Sequence, residues 1–235
     1  ITVIQAKERI NQATKTLKSI EINLSDGLNK IISEDIISPI NMPPFDQSAM
    51  DGYALGDIAS ESYQVIGEIK AGDNPKDLTL SKGQAIRIFT GAVVPNGAIA
   101  IAQQEIVARI DDSIKLTATL IEHKNIRPKG EQIIEGQLAL EKGTLITPAT
   151  IGFLYGIGID KVSVYSSPKV AIIATGSELV SPGQKLTLGQ IYESNSFALK
   201  AAIETLGVEA SIIAVKDNDE ITRDAIKQSL ENNDL

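Results

Sequence analysis

From Tyr63 to Ala139 the chain is cut by Gly, Asp, Asn and Pro into short runs rich in β-branched and apolar residues. Tyr63–Ile69, Ala85–Phe89, Ala98–Ala102, Ile106–Ile110 and Ile114–Leu120 are the candidate strands. Even spacing between turn residues predicts a small β-barrel or sandwich. The flanks are patterned differently. Val3, Ala6, Ile10, Ala13 and Leu17 recur at helical spacing, which predicts a helix over 3–17. Asn23, with Asp26 three residues on, predicts the start of a second helix running through Leu28, Ile31 and Ile32. Ile36 and Ile37 read as a short strand stopped by Pro39. Thr147-Pro148 supplies an N-cap and a first-turn proline for a helix ending near Gly156 or Gly158, and a strand, Lys161–Tyr165, follows. Helix and strand thus return in the manner of the first forty residues. The reading is a first α+β domain over 1–42 and 140–166, split by an inserted β-barrel-like domain over 43–139.

Past Pro168 the pattern becomes α/β. Lys169–Ala174 is a continuous apolar strand of the buried parallel kind. A helix over 196–206, a strand over 211–215 and a helix over 220–231 follow. This predicts a partial doubly wound α/β domain over 167–235. Two parallel strands do not make a stable sheet, so further chain or a partner is expected to complete it. Ligands of such domains sit outside the carboxyl ends of the strands, where Glu178 and Asp217 fall. The plainer alternative is that these two acids cap the helices that follow.

Composition removes several function classes. The net charge of −8 argues against a nucleic-acid surface, which needs a basic stripe. There are no cysteines, so no disulfide, thiolate ligand or thiol nucleophile. His123 is the single histidine, which excludes a histidine-rich metal site. No apolar run approaches the roughly 18 residues that span a bilayer. No signal peptide is visible, although the chain starts at Ile1 rather than Met. The expected compartment is the cytoplasm.

Three loops are candidates for chemistry. Met42 to Ala54, MPPFDQSAMDGYA, combines two stiffening prolines, an apolar Phe45, four polar side chains (Asp46, Gln47, Ser48 and Asp51) and then Gly52. It reads as a shaped loop or as an interdomain linker. Phe89 to Pro95 holds Thr90 and Gly91, a site pair or a simple turn. Asn125 to Gln132 is the most basic patch in this half, an anion site or a solvated hairpin tip.

Together these segments resemble the molybdopterin molybdenumtransferase family, which includes MoeA and the gephyrin E domain. The run Pro44-Phe45-Asp46-Gln47-Ser48-Ala49-Met50-Asp51-Gly52-Tyr53-Ala54 is similar to a family signature, with Pro44 adjacent to Phe45 rather than spaced from it. Ile86-Arg87-Ile88-Phe89-Thr90-Gly91-Ala92 with Val94-Pro95 resembles a second family loop. Asn125-Ile126-Arg127 with Gly130-Glu131 resembles a third. Thr175-Gly176-Ser177-Glu178-Leu179, then Ile191-Tyr192 and Asn195, resembles a fourth. Four motifs in order leave little room for the linker reading. Gln132 stands where the family has an acid, and Glu193 where it has Asp.

The resemblance implies insertion of molybdate into the dithiolene of adenylylated molybdopterin, with release of AMP. It implies a MogA-like α/β domain, a divalent cation such as Mg2+, and an elongated homodimer whose cleft uses domains of both subunits. Molybdopterin adenylyltransferase is the implied upstream partner; nucleic acid and membrane are not expected. Carried over residue by residue, it makes Asp51, Thr90, Glu178 and Asp217 catalytic. Ser48, Gly52, Gly91, Arg127, Gln132, Thr175 and Asn195 become substrate-binding, and Glu178 with Asp217 the metal ligands. Family segments beyond the first α/β strands are not in this sequence, so these 235 residues alone are expected to be inactive. The alternatives are a peptide-binding scaffold of the gephyrin E-domain type and a nucleotide- or pterin-related enzyme sharing only the α/β domain.

Overall fold

A computed structural model describes residues 1–75 and 78–235. The chain divides into two compact units, Ile37–Ala139 and the combined flanks Ile1–Ile36 with Leu140–Leu235. The fold is a mixture of helix and sheet.

The 37–139 unit is built on a six-stranded mixed sheet. Its strand order is Ala100–Gln103, Gly52–Leu55, Gln84–Ile88, Tyr63–Ile69, Ser113–Leu116, Val107–Ile110. Only Tyr63–Ile69 and Gln84–Ile88 run parallel among these neighbours. Alternate residues of a strand face opposite sides of a sheet, and here both sides are covered. Tyr53, Leu55, Ala85, Ala100 and Ala102 belong to one buried cluster, and Ala54, Ile86, Ile88 and Ile101 to the other. Gly52–Leu55 lies between two partners and is buried along its whole length. The sequence reading missed this strand. Four residues opening on Gly carry little local β signal; pairing on both edges makes them a strand.

In the flanking unit, Ser19–Asn23 pairs antiparallel with Lys161–Tyr165. The helix expected from Asn23 does not form. Asn23 ends that strand, its side chain caps nothing, and only one 3-10 turn, Leu24–Asp26, follows. Ile31 and Ile32 instead bridge to Leu145 and Val164, and Ile32 is fully buried. Pairing with a distant strand outweighs a local capping signal. Helix α1 spans Val3–Ala13, shorter than the expected 3–17, and buries none of its residues. Helix α2, Pro148–Gly156, starts as expected, with the Thr147 side chain accepting the Thr150 N–H. Val170–Thr175 and Ala210–Val215 form a parallel pair. Helices α3, Asn195–Glu204, and α4, Asp219–Asn232, pack on this pair. No helix among the described residues is long and apolar enough to cross a membrane.

Candidate functional site

In the 37–139 unit the three candidate loops meet. The Ser48 N–H donates to the Ala92 carbonyl (3.0 Å), and the Gly91 N–H donates back to the Ser48 carbonyl (2.8 Å). Gln47–Ser48 pairs antiparallel with Ile126–Arg127. The Asp46 carboxylate accepts the Lys129 N–H at 2.7 Å, and the Gly130 N–H donates to the Pro43 carbonyl. Ser48 is buried, and its hydroxyl donates to the Met50 carbonyl at 2.6 Å, so it shapes the loop.

At the tip, one oxygen of Asp51, Oδ1, accepts both the N–H and the hydroxyl of Thr90, each at 2.8 Å. The Thr90 N–H and then its hydroxyl hold the Asp51 carboxyl below its ordinary value; burial opposes them, and the Arg87 charge adds to them. Asp51 is therefore an exposed, ionised acid with one oxygen fixed. Gly52 follows because nothing larger fits: a Cβ there would lie 1.9 Å from the Ala102 carbonyl oxygen. Gly91 has φ +82°, the left-handed region that favours glycine. Arg127 gives its Nε–H to Glu131 at 3.1 Å, an exposed pair. Its two terminal amino groups bond no side chain among the described residues. Gln132 is exposed, and its backbone N–H donates to the Met42 carbonyl.

In the flanking unit, Thr175 and Asp217 line a cleft of about 530 Å³ at the carboxyl ends of the parallel strands. Asn218, Asp219, Thr222, Arg223 and Ile226 complete its lining. Asp217 does not cap α4. Asn218 does, accepting from the N–H groups of Glu220 and Ile221 at 3.0 Å. Asp217 instead accepts the Ser177 N–H at 3.1 Å, and the Ser177 hydroxyl accepts the Asp217 N–H at 3.2 Å. Glu178 is exposed and opens no helix. The capping alternative fails for both acids. Asn195 is the first residue of α3, which Glu193 caps by accepting the Ser196 N–H (2.8 Å) and hydroxyl (2.6 Å). Those two bonds, the hydroxyl's first, hold the Glu193 carboxyl low.

Glu178 and Asp217 were expected to bind magnesium. Their chemistry suits it, since magnesium is commonly held by one or two carboxylates together with substrate phosphates and water. Among the described residues no group of three or more His, Cys, Asp or Glu forms a ligand set.

The sequence reading missed Arg87, Arg223 and Gln104. Arg87 lies within the Ile86–Ala92 motif, but nothing local says what its side chain touches. Arg223 carried no local signal; its place in the cleft depends on how α4 packs.

The chain was compared with known proteins. Residues 1–158 match the family model described as the MoeA N-terminal region, domains I and II. A molybdopterin molybdenumtransferase of Haemophilus influenzae is 39% identical over 214 residues, covering 89% of this chain and 53% of the relative. One from Staphylococcus aureus is 34% identical over 244 aligned positions, covering 100% and 58%. The chain thus spans somewhat over half the length of these curated relatives. A crystal structure of a molybdopterin biosynthesis MoeA protein from Pyrococcus horikoshii superposes with a TM-score of 0.85 at 31% identity, covering 97% of this chain and 63% of that one. A second structure of such a protein from that source has a TM-score of 0.81 at 35% identity, covering 100% and 62%. With its three loop motifs stitched together and its first 158 residues matched, the chain belongs to the MoeA family.

Proposed function

We propose that this chain is part of an enzyme that inserts molybdate into adenylylated molybdopterin with release of AMP. The observation that carries the reading is the Asp51–Thr90 clasp, held where three distant loops meet. The names of the relatives support it; they do not favour the peptide-scaffold alternative. A carboxyl held low is a weak base but a dependable charge. Asp51 therefore orients a donor or a cation beside an anionic substrate, where a bare acid would repel it. Its Oδ2, outside the Thr90 bonds, is the oxygen left for that contact. The terminal amino groups of Arg127 suit an oxyanion. The second cleft sets Thr175 and Arg223 beside the carboxylates Asp217 and Asp219, so an anionic ligand there needs a cation between it and those acids.

The same reading takes Glu178 and Asp217 as the metal-binding pair, with magnesium offsetting substrate charge when bound. It takes the architecture to be a split first domain (1–42 and 140–166), an inserted β-barrel-like domain (43–139) and a partial MogA-like α/β domain (167–235). It places the protein in the cytoplasm as a homodimer, downstream of molybdopterin adenylyltransferase. The division of the chain into an inner unit, 37–139, and its combined flanks supports the insertion; the metal pair, compartment, dimer and upstream partner rest on the family resemblance alone.

The test is molybdate-dependent AMP release by a protein carrying this sequence at the length of its relatives. Asp51→Asn is expected to lower the rate about a hundredfold with little change in KM, as for loss of a group acting in the transition state. Full activity in that variant would sink the reading. Gln132→Asp, made alongside, reports whether Gln132 slows this chain relative to its family.

A further inference from the structure

We propose that Arg87 is a positioning residue that sets where the Asp51 carboxylate points; its importance for catalysis rests on the function proposed above. The Arg87 guanidinium is held by two hydrogen bonds and two aromatic rings. Its Nη1 donates to the Gly52 carbonyl at 2.8 Å, and its Nη2 donates to Gln104 Oε1 at 2.7 Å. Its central carbon lies over two rings, 4.6 Å from the centroid of Phe89 and 5.2 Å from that of Tyr53.

Each of these contacts borders the clasp. The Gln104 N–H donates to the Asp51 carbonyl at 3.0 Å. Gln104 therefore grips Asp51 with its backbone and Arg87 with its side chain, while Arg87 grips Gly52. The ring of bonds fixes the carbonyls on both sides of the Asp51–Gly52 step. Phe89 immediately precedes Thr90, so stacking on Phe89 also fixes the residue that donates twice to Asp51. A guanidinium does this where an ammonium does not: it is planar, stacks, and donates in a fixed fork. Gly52 is buried between two strands, so the clasp is referred to a rigid base. Arg87 needs no substrate contact to matter, since a small misplacement of a reacting group costs large factors in rate.

The experiment follows Asp51 itself. Carboxyl carbon titration of Asp51 and amide exchange of Thr90 are measured by NMR in the protein carrying this sequence at the length of its relatives. The unmodified chain is compared with Arg87→Gln, Arg87→Lys and Gln104→Ala. Arg87→Gln is expected to move the Asp51 midpoint upward and to speed Thr90 exchange about ten-fold or more through local opening. Arg87→Lys, which keeps the charge but not the fork, is expected to fall between. Asp57 and Glu193 are expected to titrate as before. The proposal is overturned if Asp51 and Thr90 do not respond, or if Asp57 and Glu193 shift as much as Asp51, which would mark general loosening. Should Arg87→Gln fail to fold, Gln104→Ala removes one anchor only and carries the same readouts. The functional reading is judged separately: if Asp51→Asn leaves AMP release intact while Asp51 and Thr90 respond to Arg87, the positioning role stands and that reading falls.

Discussion

Asp51, Asp57 and Glu193 are three carboxyls held below their ordinary values. Asp57 is pushed upward by burial, but the Gly83 N–H, the Ser60 hydroxyl and the N–H groups of Ala59 and Ser60 outweigh it. A carboxyl that is lower in the native state stabilises that state above its unfolded value, about 4, and loses the effect as pH falls through the native value. The urea midpoint is therefore expected to drop steeply below about pH 4. Asp51→Asn should flatten part of that drop at low salt, where an exposed charge is least screened; an unchanged profile would count against the Thr90 bonds. Tyr63 makes the opposite case. Among the described residues its buried hydroxyl meets no well-formed hydrogen-bond partner, only a weak approach of the Ser60 backbone; burial, then the Asp57 charge, push its pKa up while that Ser60 contact pulls it down. Tyr63→Phe is expected to leave stability unchanged or to raise it by up to about 1 kcal/mol. A loss larger than that in chemical denaturation would reveal a partner. Gly52→Ala should destabilise by about 3 kcal/mol or more, because its new methyl meets backbone that cannot move without opening the sheet.

Helices start where side chains satisfy their first N–H groups. Thr147 caps α2 as its sequence predicts, while α4 is capped by Asn218 rather than by Asp217, the residue weighed for that role. Asn218→Ala is expected to cost about 1 kcal/mol, read as a lower thermal midpoint. Asn23 carried a similar signal and caps nothing, because a strand partner far along the chain claims its backbone. At α3 the N-cap Ser194 makes no side-chain cap, and Glu193 takes over from one residue earlier. Glu193 in place of the family's Asp is therefore a working cap with both oxygens bonded.

At the scale of the molecule, the chain enters and leaves the 37–139 unit side by side. The Ser38 N–H donates to the Gln137 carbonyl at 2.8 Å, and the Gly136 N–H donates to the Ser38 carbonyl at 2.9 Å. A unit with its own sheet, two buried clusters and adjoining ends has what a domain needs to fold alone. Residues 37–139 expressed by themselves are expected to melt in one cooperative transition by circular dichroism; a broad, featureless melt would refute this. What the sequence determined by itself was local or ordered along the chain: the Thr147-Pro148 start of α2, the apolar parallel strand at 170–175, and the series of loop motifs that names the family. Tertiary structure alone decided the rest. Gly52–Leu55 became an interior strand, the helix expected at Asn23 became a strand end, Asp51 was joined to Thr90 and Gln104, and Gly52 to Arg87. The reason is the same in each case. Local signals state what a few neighbouring residues prefer, whereas a buried backbone or a clamped side chain takes its conformation from partners tens of residues away.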